Sequence, residues 1–352
     1  MRKTMLRQHN AGNFPAEERT VGILKYAFGA GYRRFYDNIS GIAESEKKNR
    51  FLLLADAAFC TLRYGSGLTD YLNYEFWKRS AKERRQYVTI RTQDGFYKKV
   101  SPPEYKTTFT VKPNFLRIFH DYVKRGYVAP GFPDEGGDLT EFFRNNSVFM
   151  QKPVDGLGGH DVKKVSAADI SSPEEYYAYL KENRLFVEQY ITQHEKMASL
   201  CDKSVNTIRV MTSSVTGVPE IVCSFLRVGN GSCEVDNFHG GGMAAAVDEE
   251  TGTVHGQAID KAMSRFDSHP VSGVLFDGFQ IPYWDEVKRL VCEAALIEPR
   301  IMMIGWDVAI TPDGPLFVEA NRRPGFDAVQ VIAGRGRMDI VKKALDGLKK
   351  RK

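Results

Sequence analysis

The residues best suited to chemistry lie in the stretch IGWDVAITPDGPLFVEANRRPG at 304–325. Its TPDG segment predicts a tight turn, and a turn centred on Asp313 places Asp307 opposite Glu319, with Cβ atoms about 5 Å apart. Asn321 falls on the same face of this hairpin. Two facing carboxylates repel each other unless a cation lies between them, and hard oxygen ligands suit Mg²⁺. The stretch therefore predicts a magnesium site.

The same pattern predicts which face of the hairpin is buried. The apolar residues of that face are Trp306, Val308, Ile310, Leu316 and Val318. A second interpretation stays open, in which the carboxylates lie on the solvated face of an edge hairpin. The polar run from Asn321 through Arg322 and Arg323 favours the metal site over this alternative.

A second candidate region is VFMQKPVDGLGGHDVKKV at 148–165, where an apolar strand passes Lys152 and enters a glycine cluster. The cluster consists of Gly156, Gly158 and Gly159. A strand pattern follows, whereas a dinucleotide-binding loop needs a helix at that point. Strand, glycine loop and strand form a flap of the kind that covers nucleotide phosphates, with a nearby lysine adding charge. A glycine-rich hairpin turn with a surface lysine is the open alternative.

Three further stretches carry polar residues within or beside strand patterns. FVEQYITQHE at 186–195 is an apolar strand that ends in a polar segment, and SVNTIRVMTS at 204–213 is a β-branched strand with one arginine, Arg209. Such an arginine needs an anion or a solvated edge, and the sequence does not decide between them. The substrate candidates beside the next glycine run are Asp236, Asn237 and His239, and a bulged hairpin turn is the alternative.

Several familiar enzyme signatures are absent. The chain has no GK dipeptide for a phosphate loop, no HExxH zinc helix and no GxSxG elbow. Its five cysteines form no CxxC pair, which argues against a disulfide framework or a thiolate zinc site. No apolar run reaches the roughly 20 residues of a membrane span, and no export signal is recognisable. We expect a cytoplasmic protein without a transmembrane segment.

Charge is unevenly distributed along the 352 residues. Residues 1–100 contain 19 Lys and Arg against 10 Asp and Glu, whereas the whole chain has a net charge of +5. This basic region could attract phosphate, anionic sugars, a membrane face or nucleic acid, or it could consist of solvated helix faces.

The elements that would position these residues follow from periodicity. Residues 20–88 predict helices, and 89–110 predict a hairpin around Asp94-Gly95. A helix is expected over 114–125. Short strands dominate from 148 onward, interrupted by helices near 173–183 and 282–297, and a basic helix covers 338–352. The mixture is α+β.

In this order the motifs resemble one family. DYLNYEFW, SVNTIRVMT, VDNFHGGGMAAAVDEETG and GWDVAITPDGPLFVEANRRPGFD are similar to the sugar-transfer-associated subgroup of the ATP-grasp superfamily, over roughly residues 68–335. The resemblance implies two α+β lobes that sandwich ATP, preceded here by a mainly helical, basic N-terminal region. The expected divisions are 1–100 for this region, 101–185 for the lobe with the glycine flap, 186–337 for the lobe with the metal site, and 338–352 for the C-terminal helix.

The resemblance also assigns roles to residues. Lys112 and Lys152 would contact phosphates beneath the flap of Gly156, Gly158 and Gly159. The hinge that reads the adenine edge would be Glu188, Gln189, Tyr190 and Ile191, with Glu195 on the ribose. The catalytic arginines would be Arg209, at the transferring phosphate, and Arg323, at the phosphorylated intermediate. The ligands of one or two Mg²⁺, or of Mn²⁺, would be Asp307, Glu319 and Asn321.

The implied activity is a carboxylate–amine ligase that forms ADP through an acyl phosphate. Its small-molecule acid and amine substrates would be sugar-linked, for surface polysaccharide, and no nucleic acid partner is expected. Two alternatives stay open: a phosphotransferase acting on a hydroxyl, and a non-catalytic nucleotide-binding module. The family commonly begins with a small α/β domain, whereas basic helices stand there in this chain. The sequence therefore leaves the acceptor site open.

Overall fold

The computed structural model describes residues 30–155, 161–231 and 241–351. The chain divides into two compact units between Arg79 and Ser80. Only helices and 3₁₀ turns precede the first strand in the described part, and two antiparallel sheets follow. The α+β prediction, with a helical region before the sheets, is confirmed. Among the described residues, no helix combines the length and the apolar character that a membrane crossing needs.

The first unit is a small helical assembly. Its helices are α1 (Ala30–Ser45), α2 (Arg50–Tyr64) and α3 (Leu68–Asn73), followed by a 3₁₀ turn at Phe76–Lys78. Helix α2 begins after Asn49, whose side-chain oxygen accepts hydrogen bonds from the N–H groups of Phe51 and Leu52. It ends at Gly65, which has a left-handed conformation with φ of 67°. Its buried residues are Leu53, Ala57 and Cys60.

The second unit contains the remaining helices. They are α4 (Ala81–Arg84), α5 (Ile90–Val100), α6 (Thr107–Thr110), α7 (Lys112–Ile118), α8 (His120–Val123), α9 (Leu139–Asn145), α10 (Pro173–Glu182), α11 (Glu195–Ala198), α12 (Trp284–Ala294), α13 (Asp327–Ala333) and α14 (Met338–Lys350). Helices α10, α12 and α14 lie where the sequence predicts helices. The helix predicted over 114–125 is instead two short helices, α7 and α8, separated at Phe119.

The hairpin predicted at 89–110 is wrong, because residues 90–100 form helix α5. Its apolar residues Phe96, Tyr97 and Val100 lie on one helical face and are buried. Asp94, taken as a turn residue, pairs with Lys98 one helical turn later at 2.8 Å. Burial of the helical face outweighs the local turn signal.

The strands of the second unit form two sheets. In chain order they are β1 (Tyr127–Val128), β2 (Val148–Pro153), β3 (Lys163–Ser166), β4 (Leu185–Gln189), β5 (Thr207–Ser213), β6 (Glu220–Val228), β7 (Met243–Val247), β8 (Val254–Asp260), β9 (Arg265–Phe266), β10 (Met303–Thr311) and β11 (Gly314–Asn321). The small sheet has the order β1-β4-β2-β3 and the large one the order β11-β10-β5-β6-β7-β8-β9.

Each sheet has one face buried in an apolar core, and its other face carries polar residues named in the sequence analysis. On the small sheet, Phe149 and Val187 pack with Leu139 and Leu180 of helices α9 and α10. Side chains alternate along a strand, so Lys152 and Glu188 lie on the opposite face. One face of the large sheet packs against α7, α8 and α12. Part of its other face packs against α5, α13 and α14, which leaves the polar residues of β5, β6, β10 and β11 beside this second core.

The pairing of β10 with β11 contains a bulge that was not predicted from the sequence. Asp307 pairs with Glu319 as predicted, but the pairs nearer the turn are shifted by one residue, so that Val308 faces Phe317. A shift of one residue moves side chains to the other face of a sheet. The prediction that Leu316 shares the face of Trp306 and Val308 is therefore wrong: Phe317 takes that place in the core, and Leu316 is buried on the other face of the sheet.

Candidate functional site

Asp307 lies at the centre of the polar face of the large sheet. It is 2% exposed and pairs with Glu319 on β11 and with Arg209 on β5. Because β10 lies between these two strands, the alternative of a solvated edge hairpin does not hold for Asp307. Arg209 donates a hydrogen bond to each carboxylate oxygen of Asp307. Its Nε donates to Oδ1, and its Nη2 donates to Oδ2 at 2.8 Å. Arg227 of β6 donates to Oδ2 from Nη1, also at 2.8 Å.

These arginines keep the Asp307 carboxyl group ionised. Burial alone would raise the pKa of its carboxyl, but the two guanidinium groups outweigh burial and lower the pKa to about 2. The sequence predicts that a cation separates the two facing carboxylates, and the structure supplies cationic side chains at Asp307. The anion that the sequence requires for Arg209 is therefore the Asp307 carboxylate.

Glu319 has the opposite electrostatic environment. Its side chain is close enough to Asp307 for a hydrogen bond between the carboxyl groups, and burial together with the Asp307 charge raises the pKa of Glu319. A carboxyl held this way favours a proton or a cation at the shared position. Asp307 already accepts three hydrogen bonds from arginines, so it has about one of its four lone-pair positions left.

Glu319, Asp307 and Asn321 offer hard oxygen donors of the kind that suit a dication. Asn321 lies two residues further along the strand, on the same face as Glu319. The three candidate donors are two carboxylates and one carboxamide. Within the described ranges, no cluster of three or more His, Cys, Asp or Glu side chains is suited to a metal ion.

The small sheet and the start of helix α7 bring two lysines and a glutamate to the same region. Lys152 on β2 contacts the carboxylate of Glu188 on β4, with an Nζ–Oε1 distance of 2.5 Å. Lys112 begins helix α7, and its backbone N–H donates to the Val154 carbonyl at 2.9 Å. Burial lowers the pKa of Lys112, and the charge of Glu319 acts against this shift. The two lysines predicted to contact phosphates therefore belong to one electrostatic cluster with the carboxylate pair.

Arg125 joins the two sheets and was missed by the sequence prediction. Its Nη2 donates to Glu188 Oε2 and to the Val318 carbonyl, each at 2.9 Å, and its Nη1 donates to the Phe317 carbonyl. Burial acts to raise the pKa of Glu188, but Arg125 and Lys152 lower it. Arg125 thus anchors Glu188 on one sheet and the bulge beside Glu319 on the other.

An apolar cluster lies next to these charges. Ile191, Ala309 and Leu316 are buried together, with Val205 and Val318 half-buried against them. Leu316 and Ala309 are cross-strand partners on the face that carries Asp307. The bulge therefore moves apolar residues predicted for the core to a position beside the hinge segment.

The other residues predicted to contact the adenine or the ribose each have different contacts. The backbone N–H of Gln189 donates to the Gly126 carbonyl at 2.9 Å, and Lys164 lies 4.3 Å from the centre of the Tyr190 ring. Glu188 is 2% exposed and held by Arg125 and Lys152. Glu195 is exposed at the first turn of α11.

Arg323 is engaged by residues of helix α5. It pairs with Asp94 of α5 at 2.7 Å, and its guanidinium lies 5.4 Å from the centre of the Tyr97 ring. The predicted flap residues Gly156, Gly158 and Gly159 fall outside the described residues, as do the substrate candidates Asp236, Asn237 and His239.

Of the two residues that were missed, only Arg227 has a sequence signal. It is a single arginine in the apolar strand CSFLRV, the same feature that singled out Arg209. Arg125 precedes a glycine in a basic turn, and its partners are the distant Glu188 carboxylate and the Phe317 and Val318 carbonyls at the bulge.

The assembled site has a surplus of positive charge. Its cations among the described residues are Lys112, Lys152, Arg125, Arg209 and Arg227, and its carboxylates are Glu188, Asp307 and Glu319. Five cations against three carboxylates leave a charge of +2, or more when Glu319 carries a proton. A half-buried group of this charge favours an anion such as a polyphosphate.

Comparison with solved structures gives distant likenesses. The ATP-grasp ligase PsnB, complexed with a minimal precursor, shares 15% identity and a TM-score of 0.39, over 70% of this chain and 62% of PsnB. The D-alanine–D-alanine ligase from Coxiella burnetii shares 15% identity and a TM-score of 0.36, over 69% of this chain and 59% of the ligase. Biotin carboxylase from Campylobacter jejuni shares 11% identity and a TM-score of 0.41, over 68% of this chain and 47% of the carboxylase.

The match thus spans less than two thirds of each of these three proteins. No curated protein matches the chain. The family assignment depends instead on a family profile, described as sugar-transfer associated ATP-grasp, which matches residues 134–344. This range covers more than half of the chain and includes Lys152, Arg209, Asp307 and Glu319. The chain belongs to the sugar-transfer-associated ATP-grasp family.

Proposed function

We propose that the protein is a carboxylate–amine ligase that uses ATP and Mg²⁺ and forms ADP through an acyl phosphate. The observation that carries this proposal is the cationic cluster around the Asp307–Glu319 pair. Phosphoryl transfer asks a protein mainly for positioning and charge neutralisation. Lys112 and Lys152 would neutralise the phosphates, while Asp307 holds Arg209 and Arg227 in fixed positions at the site.

Glu319, with Asp307 and Asn321, would hold Mg²⁺, which stabilises charge on the transferring phosphoryl group. In the reaction a substrate carboxylate attacks the γ-phosphorus, and ADP leaves. An amine then attacks the acyl carbon, loses a proton and displaces inorganic phosphate, giving an amide. A closed glycine flap would exclude water from the acyl phosphate.

The apolar cluster supports an adenine position. Ile191, Ala309 and Leu316 offer an apolar surface beside the hinge, on which a purine ring could stack. Because the Gln189 N–H is already bonded within the protein, the hinge donors are expected from Tyr190 and Ile191. The Glu188 side chain is engaged by Arg125 and Lys152, so the adenine edge would be read by backbone groups.

The decisive experiment is a screen of carboxylates against amines, nucleotide sugars included, that measures magnesium-dependent ADP release. ADP and phosphate formed in step with an amide would support the ligase. A stable phosphorylated acceptor would replace the ligase with a phosphotransferase. The sugar-linked substrate is supported by the family alone, so nucleotide sugars and simple amino acids should be compared at equal concentration.

The role of Lys152 is testable by its removal. Lys152→Ala should weaken ATP binding about tenfold to a hundredfold, because a hydrogen bond between charged groups contributes about 1.5–3 kcal/mol. Isothermal titration of ATP measures the change. Lys163→Ala is the matched control, since this exposed lysine on β3 pairs with Gln151 and so faces away from Lys152. Equal affinities of wild type and Lys152→Ala would exclude the phosphate contact.

A further inference from the structure

Helix α2 of the N-terminal unit is apolar on two opposite faces. Leu53, Ala57 and Cys60 are buried within the unit. The exposed apolar residues on the other side are Phe51, Leu52, Ala55, Ala58, Phe59 and Leu62. With 100° between successive residues, these six occupy an arc of about 120° that is opposite the buried face. We call them the α2 outer face.

The exposure of this face is large. Phe51 and Leu52 are each 70% exposed, Phe59 is 52% exposed and Leu62 is 80% exposed. The arc contains no charged residue. A contiguous exposed apolar patch of this kind marks an interaction surface.

Positive charges lie at both ends of the α2 outer face. Lys47 and Lys48 are exposed at the N-terminal end and Arg63 is exposed at the C-terminal end, whereas Arg50 lies over the Tyr36 ring, 5.0 Å from its centre. The one acidic residue in the helix, Asp56, accepts a hydrogen bond from the Tyr71 hydroxyl at 3.0 Å. Of the nearby glutamates, Glu46 pairs with Lys78 at 2.8 Å. The chemistry of the face is therefore apolar with a cationic border.

We propose that the α2 outer face docks the protein on the surface of an anionic lipid bilayer. Phenylalanine and leucine side chains would enter the interface while the bordering lysines and Arg63 contact anionic headgroups. From Phe51 to Leu62 the helix is about 16 Å long, which is too short to cross a bilayer but suits a helix lying in its plane.

The cationic border also distinguishes the bilayer from a second copy of the chain. In a symmetric pair of α2 helices packed through this face, Lys47 would lie near Arg63 of the other copy if the helices were antiparallel, or near Lys47 of the other copy if they were parallel. Either arrangement places like charges together, whereas an anionic surface compensates them.

The test measures co-sedimentation of the full chain with vesicles. Wild type should bind vesicles of phosphatidylcholine that contain phosphatidylserine as a minority component, and bind phosphatidylcholine alone at least tenfold more weakly. Phe59→Ser with Leu62→Ser should lower partition to the anionic vesicles at least tenfold, because two exposed apolar side chains no longer insert. Lys47→Gln with Lys48→Gln and Arg63→Gln should lower it by a similar factor.

The matched control is Val218→Ser with Val271→Ser, which alters two side chains that are each 71% exposed elsewhere. It should bind vesicles like wild type. Circular dichroism should show the same helix content for every variant, since all the substituted residues are exposed. The proposal is overturned if wild type does not sediment with anionic vesicles, or if both serine pairs weaken binding equally. It is also overturned if light scattering finds a dimer that Phe59→Ser with Leu62→Ser separates into monomers.

Discussion

Glu319→Gln should reduce magnesium-dependent ATP turnover roughly a thousandfold without lowering the stability of the fold. The loss follows if Glu319 is the principal ligand, because a bound dication contributes several kcal/mol to stabilising a phosphoryl transition state. The variant keeps the size and shape of the side chain and removes only its capacity for negative charge. Turnover is measured as ADP release with the best substrate pair from the screen.

The stability side of this prediction follows from the sign of the pKa shift. The pKa of Glu319 is raised in the folded protein, so the folded state holds a proton more tightly than the unfolded chain. The stabilising contribution of the protonated form is present below the ordinary glutamate pKa and is lost as pH rises through the folded pKa. Glutamine cannot ionise, so the free energy of unfolding of the variant at neutral pH without metal should equal or exceed that of wild type.

Urea unfolding at neutral pH, without added metal, measures this quantity. Asp313→Asn is the control, because Asp313 is an exposed carboxylate in the turn of the same hairpin, and its turnover and stability should stay at wild-type levels. Unchanged turnover in Glu319→Gln would remove the metal hypothesis. A variant that is both inactive and clearly less stable would instead indicate that Glu319 is a structural residue.

The same hairpin shows what a sequence can predict about a site and what it cannot. The pairing of Asp307 with Glu319 follows from the turn and from strand alternation. However, the structure reaches it through a turn register shifted by one residue and a bulge that restores the pairing. The bulge depends on how Phe317 fits the core and how Arg125 binds the strand carbonyls. Leu316 was therefore placed on the wrong face although the carboxylate pair was placed correctly.

For the helices, the sequence prediction was correct where local residues fix the element and wrong where distant packing overrides them. Helix α10 follows a Ser-Pro start that its sequence displays, since the Ser172 hydroxyl accepts a hydrogen bond from the Glu175 N–H. Helix α5 has a local turn signal at Asp94-Gly95, which burial of Phe96 and Tyr97 overrides. Arg323 was assigned by resemblance to a phosphate role, and its partner Asp94 lies on this helix, which the sequence did not predict.

Arg125→Met should lower the free energy of unfolding of the second unit by about 3 kcal/mol, because the buried Glu188 carboxylate loses one of its two cationic partners and keeps only Lys152. The Arg125 and Glu188 side chains are 2% and 3% exposed. The Phe317 and Val318 carbonyls would also lose their donor, which releases the bulge beside Glu319. Chemical denaturation of the full chain, followed by tryptophan fluorescence, measures the loss.

A double-mutant cycle separates the ion pair from mere side-chain removal. Arg125→Met in a Glu188→Gln background should cost at least about 1 kcal/mol less than in wild type, since position 188 then has no buried charge for Arg125 to neutralise. Arg144→Met, at an exposed arginine of α9, serves as the control and should change stability by less than about 0.5 kcal/mol. If Arg125→Met costs no more than this control, Arg125 does not join the two sheets energetically. The position of Glu319 must then depend on the β10–β11 pairing alone.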